Sequence, residues 1–225
     1  VRPVLSYVAA ALPVDIALEE QFTTKAQQRH AAKFGMWCWL ITELLLFGGL
    51  LLVATVLRVL HPASVSAAAT HLKFWIGASN TVVLICSSLT MSGAINASRL
   101  GLQTLMVRCM LATGGLGSVF LLLKAYEYYR DYQEHMVPFL DWRPYALPHD
   151  HASRLFINDY FAATGLHGVH LITGIAILLV LTRQASRAGY LSLHQNRIEI
   201  FGLYWHFIDL VWIIVFPTLY LVNRG

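Results

Sequence analysis

Charge is scarce in this sequence. Of its 225 residues only 12% are Asp, Glu, Lys or Arg, where a soluble domain carries about 25%. So few charges cannot solvate a surface of this size, which excludes a water-soluble globular fold and turns most of the exterior toward lipid. Cysteine is scarce too. Cys38, Cys86 and Cys109 lie in apolar surroundings and form no CxxC, which argues against a disulfide framework or thiolate metal site and makes them small buried hydrophobes. No basic run or aromatic-interleaved patch accompanies the net charge of +4 and the pI near 9.1, so no nucleic-acid partner is implied. No basic-then-apolar leader is present: the sequence starts at Val1 with a polar stretch, as an unusual start codon, processing or truncation would each leave it. There is also no internal repeat and no low-complexity tract.

What is abundant is apolar length. Hydrophobic residues make up 57% of the chain, with a mean hydropathy of +0.58. A spanning helix needs about 20 mostly apolar residues, and five segments qualify: Phe34–Leu60, Phe74–Ile95, Leu105–Ala125, Phe161–Leu181 and Phe201–Val222. The predicted fold is all-α, an integral membrane bundle of five transmembrane helices. Residues 1–33 read as a polar, cytoplasmic N-terminal segment and 34–225 as the five-helix domain. Gly114, Gly115 and Gly117 in the third span let another backbone approach closely, which places that helix inside the bundle. His61–Lys73 reads as a short loop opened by Pro62, and Tyr126–Tyr160 as a long one with three prolines.

Lys and Arg set the orientation. The side holding the N-terminus carries Arg2, Lys25, Arg29, Lys33, Arg99, Arg108, Arg183, Arg187 and Arg197. The other carries Arg58, Lys73, Lys124, Arg130, Arg143, Arg154 and Arg224. Nine against seven places the N-terminus in the cytoplasm.

Ionisable groups at membrane depth are costly, and are either functional or paired. Glu43, in the first span, is protonated, hydrogen-bonded to a neighbouring helix, or part of a proton-handling surface. His167 and His170 share a helix face at i, i+3. Two histidines without carboxylate or thiolate company fit a hydrogen-bonding device between helices better than metal ligation. His206 and Asp209 repeat that spacing and satisfy each other. Glu127 closes the third span beside Tyr128 and Tyr129, as at an interfacial aromatic belt. His149 and His151 flank Asp150 in what reads as a solvated loop. Lys25, Arg29 and His30, with Glu19 and Glu20, read as a solvated tail, or as a proton-buffering one.

Five segments in order then carry a resemblance. Phe34-Gly35-Met36-Trp37 with Thr42-Glu43, and Asn80-Thr81-Val82-Val83-Leu84, resemble the first helices of the five-helix core of cytochrome oxidase subunit III. The likeness continues through Lys124-Ala125-Tyr126-Glu127-Tyr128-Tyr129 and Phe161-Ala162-Ala163-Thr164-Gly165-Leu166-His167-Gly168-Val169-His170. It ends with Tyr204-Trp205-His206-Phe207-Ile208-Asp209-Leu210-Val211-Trp212. Together these cover residues 34 to about 222.

The resemblance implies a respiratory-chain subunit with no haem or copper of its own; those cofactors belong to partner subunits. It implies packing against the catalytic subunit I and other oxidase subunits, support of proton uptake, and phospholipid binding. It also implies protection from turnover inactivation, in a bacterial inner membrane. Electrons from cytochrome c or quinol would arrive through other subunits, and oxygen would be reduced to water in subunit I. Glu43 matches the family's carbodiimide-reactive intramembrane carboxylate, and Glu127, His167, His170, His206 and Asp209 match its internal polar network. Larger members add two N-terminal helices enclosing a lipid-filled cleft. Here only a polar segment precedes Phe34, leaving the cleft open or filled by another subunit, and Arg130 stands where larger relatives often have an acid. A subunit III-like partner of a nitric oxide reductase is the runner-up. A free-standing transporter built on Glu43, His206 and Asp209 lacks the internal repeat such proteins show, and a histidine metalloenzyme lacks clustered ligands.

Overall fold

The computed structural model describes residues 21–137, 141–142, 151–186 and 190–221. Five helices are long and apolar enough to cross a membrane: α1 (Lys25–Leu60), α3 (Phe74–Arg99), α4 (Gln103–Gln133), α5 (His151–Ala185) and α6 (Tyr190–Tyr220). The shortest, α3, has 26 residues and is about 39 Å long at 1.5 Å per residue, against a hydrocarbon core of about 30 Å.

Each helix outruns its apolar stretch. α1 starts at Lys25, where the Thr24 side chain caps it by accepting from the Gln27 amide at 3.1 Å. The stretch opened by Pro62 is not a loop but a short helix, α2 (Pro62–Thr70). Proline at the first helical position has no amide to leave unsatisfied, so it begins a helix rather than breaking one. Much of the expected long third loop is helix as well, since α4 runs to Gln133 and α5 begins at His151. Between them β1 (Met136–Val137) pairs antiparallel with β2 (Asp141–Trp142). Pro138, Arg143, Pro144, Pro148, His149 and Asp150 lie outside the described residues, as do Arg2, Glu19, Glu20, Arg187 and Arg224.

The turn between α3 and α4 shows why so short a link suffices. Gly101 adopts φ +73°; its amide bonds the Ser98 carbonyl, and the Leu102 amide bonds that of Ala97 at 2.9 Å. That is a Schellman ending, which satisfies the last carbonyls of α3 and reverses the chain at once.

The bundle is built round α6. Half of its most apolar stretch is buried inside the chain, against 17% for α1. On one side of α6, Leu84, Met91, Met106, Met110, Phe120, Leu171 and Leu178 pack on Trp205 and Trp212. On another, Phe47, Val65, Ala68, Phe156 and Ile157 pack on Val211, Val215 and Leu219. Lipid is as apolar as leucine, so close packing rather than water exclusion holds such helices together. A Cβ at Gly117 would meet the Trp205 ring at 3.1 Å, and one at Gly114 the Leu178 side chain at 3.4 Å. Gly115 faces open space. Of the three, only Gly117 has a neighbour too close for a Cβ, and that neighbour is an indole side chain rather than the backbone the sequence suggests. The cysteines also depart from the sequence reading: Cys38 and Cys86 are exposed and Cys109 is half-buried. An apolar sequence context marks a lipid-facing or subunit-facing position as readily as an interior one.

Candidate functional site

Among the described residues, most of the buried ionisable groups gather in three places between helices, not along one line. The first lies where α1 meets α5. Trp39, Glu43 and Phe47, spaced four apart, present one face of α1. Against that face sits His170, with ring centroids 6.3 Å from Trp39 and 5.6 Å from Phe47. Its Nε2 is 3.1 Å from Glu43 Oε2. This is an ion-pair distance without hydrogen-bond alignment, since Oε2 has no bonded partner by angle. The opposite nitrogen, Nδ1, is 2.9 Å from the Leu166 carbonyl. A carbonyl oxygen only accepts, so Nδ1 carries a proton and Nε2 turns its remaining valence toward Glu43.

His170 also lines an apolar groove of about 540 Å³, with Met36, Trp39, Arg197, Phe201 and Tyr204 among its walls. Tyr204 donates to the His170 carbonyl at 2.8 Å and its ring lies 5.3 Å from that of Trp39.

His167 does not join its neighbour. It points inward, 1% exposed, between Phe120 and Trp212 at 5.4 and 5.1 Å, and neither ring nitrogen has a hydrogen-bond partner. Three residues along a helix turn the chain through about 300°, enough here for one imidazole to face α1 and the other the core. The two cannot chelate one ion. Among the described residues no three His, Cys, Asp or Glu side chains converge as a metal requires.

The second place overturns the expected His206–Asp209 pairing. His206 Nδ1 is 2.8 Å from Ser88 Oγ and Nε2 is 3.4 Å from Ser92 Oγ. Both serines lie on α3, one turn apart, and a hydroxyl that donates or accepts suits either tautomer. Asp209 is 3% exposed and neither carboxylate oxygen has a hydrogen-bond partner, with Ser88 its nearest polar neighbour on α3.

The third is a buried cluster on α4, α5 and α6. Lys124 is 5% exposed. Its ammonium donates to Glu127 Oε2 at 3.1 Å and to the hydroxyls of Tyr160 and Tyr220 at 3.0 and 2.6 Å. It also stands 4.7 to 5.5 Å from the ring centroids of Tyr128, Tyr160, Trp212 and Tyr220, a cation–π cage. Glu127 is fully buried and accepts on Oε1 from Tyr160 at 2.9 Å and Tyr220 at 2.7 Å. It therefore faces the inside of the bundle and does not close the helix, because α4 continues two turns beyond Ala125. Asp131, 1% exposed, lies one turn further on, with Oδ2 3.4 Å from the Tyr160 hydroxyl.

Lys124, Asp131, Tyr160 and Tyr220 are not among the site residues of the sequence reading, which counts Lys124 only among the cations at one end of the spans. Their signal is Lys124, Glu127 and Asp131 at i, i+3, i+7, one face of a helix allowed to run on.

Fold and site together define a multi-pass helical membrane protein whose ionisable groups are held in pairs and clusters between spans. The comparisons narrow this. The family model for cytochrome c oxidase subunit III matches residues 142–224. The probable quinol oxidase subunit 3 of Staphylococcus epidermidis is 31% identical over 89% of this chain and 93% of its own length. Cytochrome c oxidase subunit 3 of Thermostichus vulcanus is 28% identical, over 84% and 87%. Subunit 3 of the cytochrome bo(3) ubiquinol oxidase of Pseudomonas aeruginosa is 27% identical, over 84% of each. The chain belongs to the cytochrome c oxidase subunit III family.

Proposed function

We propose that this chain is the non-catalytic subunit III of a proton-pumping haem–copper terminal oxidase in a bacterial inner membrane, packed against catalytic subunit I. The family makes it a subunit of an oxidoreductase complex. The finer reading, with haem and copper held by partner subunits, rests on the likeness to the third subunits of cytochrome c and quinol oxidases.

One observation carries the proton-handling role. Glu43 and His170 meet at 3.1 Å with the far imidazole nitrogen already committed to a carbonyl, so a carboxylate and an imidazole, the two side-chain types best suited to pass a proton, stand side by side on facing helices. Glu43 and His170 are 14% and 15% exposed, while Glu43 Oε2 itself is buried. A phospholipid fits the adjoining groove, its acyl chain along Trp39 and Phe201 and its phosphate at the exposed Arg197. That end of α6 lies on the side of the N-terminus, which we place in the cytoplasm. Burial of Lys124 removes one cation from the opposite side and leaves six there, which widens the bias.

The test is Glu43→Gln in the assembled complex. Haem spectra should stay intact while sustained turnover and carbodiimide labelling change. Loss of haem from the complex would contradict an accessory role.

A further inference from the structure

The buried cluster on α4 holds a feature that the Glu43–His170 reading leaves unused. Its hydrogen bonds can be counted. Lys124 has three ammonium protons and three acceptors, Glu127 Oε2 and the two tyrosine oxygens. Tyr220 has one proton, which goes to Glu127 Oε1 at 2.7 Å in preference to Tyr160 at 3.3 Å. Tyr160 also has one proton but two acceptors in reach, Glu127 Oε1 at 2.9 Å and Asp131 Oδ2 at 3.4 Å. It cannot serve both. When it serves Glu127, the buried Asp131 has no donor on either oxygen, and Oδ1 has none in any arrangement. A buried carboxylate in that condition is strongly disfavoured as an anion.

We infer that Asp131 and the Lys124–Glu127–Tyr160–Tyr220 cluster form a site that binds one proton, loaded from the side of the membrane where Lys73 and Glu134 lie. In the loaded arrangement Asp131 carries the proton and Tyr160 donates to Glu127. On release the Asp131 O–H bond breaks and the proton leaves. The Tyr160 hydroxyl then rotates from Glu127 to Asp131 Oδ2, while Glu127 keeps the protons of Lys124 and Tyr220. No electron moves, and the cluster changes from neutral to singly negative.

The charges around Asp131 suit that change. On its own helix it faces Lys124, Glu127, Tyr128, Arg130 and Glu134. Lys73 reaches it from the junction of α2 and α3, Tyr160 from α5 and Tyr220 from α6. Lys73 and Glu134 form a half-exposed ion pair of 2.5 Å at the end of the bundle. Asp131 thus stands between a saturated interior and a charged rim, at the opposite end of the bundle from the Lys33–Glu199–Arg99 clamp that ties α1, α3 and α6.

The site is tested by infrared difference spectra, acid minus alkaline, of the complex purified through this chain. The readout needs no turnover and so stands or falls apart from the oxidase assignment. The unsubstituted complex should show a protonated-carboxyl carbonyl band that loses the intensity of one carboxyl in Asp131→Asn, persists in Asp131→Glu, and moves in frequency in Tyr160→Phe. An Asp131→Asn spectrum with undiminished bands, or a band that Tyr160→Phe leaves unmoved, would overturn the inference. Should Asp131→Asn not assemble, carboxyl-labelled aspartate in the unsubstituted complex replaces it. A band that does not shift with the label is then the overturning result.

Discussion

Lys124 and Glu127 are a buried ion pair, and such pairs are strongly asymmetric in what their removal costs. Deleting one partner strands a charge in a low-dielectric interior and costs about 3–5 kcal/mol, while exchanging both for apolar residues of similar volume is often nearly neutral. Lys124→Met should therefore lower the thermal stability of the detergent-solubilised protein sharply, and Lys124→Met with Glu127→Leu should recover most of the loss. A double variant as unstable as the sum of the singles would show that the pair is not coupled. The same logic separates the two readings of His206. Mutant cycles on unfolding should give a Ser88–His206 coupling of about 1 kcal/mol and an Asp209–His206 coupling near zero, and the reverse order would restore the pairing that spacing suggests. At this scale the sequence shows which residues matter more clearly than whom they meet. Glu43, Glu127 and the histidines stand out because charge in an apolar run needs a reason. Their partners come from helices up to 127 residues away, Glu43 from His170 for example, and spacing within one helix carries no information about that.

Helices were legible as apolar runs, and their ends were not. Hydropathy marks the part of a helix that lies in lipid, but α1, α4 and α5 continue past it through polar residues that remain helical because nothing stops them. Hence Pro62 misleads as a breaker, and Asp131 passes for a loop residue. Glycine follows the same division. Gly101 at φ +73° is required by the turn, and Gly101→Ala should cost about 1–2 kcal/mol. Gly117 is required by contact with the Trp205 ring and Ile175, so Gly117→Ala should also destabilise. Gly115 is required by neither, and Gly115→Ala should be neutral or stabilising by about 0.5–1 kcal/mol. Thermal unfolding of the three variants side by side checks this, and equal losses at Gly115 and Gly117 would refute the packing described for α4.

For the whole molecule, the bundle presents two unlike ends and a broad apolar flank. One end is tied by Glu199 to Lys33 and Arg99, and by the Gln103 amide to the Ala185 carbonyl at 2.7 Å. The other is tied by Lys73, Arg130 and Glu134. Between them α1 leaves Phe34, Ile41, Leu45, Leu52 and Val59 exposed, a surface suited to lipid and to neighbouring subunits. Five spans and the family could be read from composition and ordered motifs; the separation of the ionisable groups into three places could not, because it depends on how the helices are rotated. The proposed role, a subunit that serves a haem–copper oxidase whose redox centres lie in its partners, belongs to the assembled complex. Its most direct test is optical and metal analysis of the complex drawn from native membranes through this chain in mild detergent. Haem together with copper, and oxygen consumption, is the predicted result. Haem with non-haem iron and no copper would move the chain to nitric oxide reduction, and a colourless chain that emerges alone and intact would contradict the account.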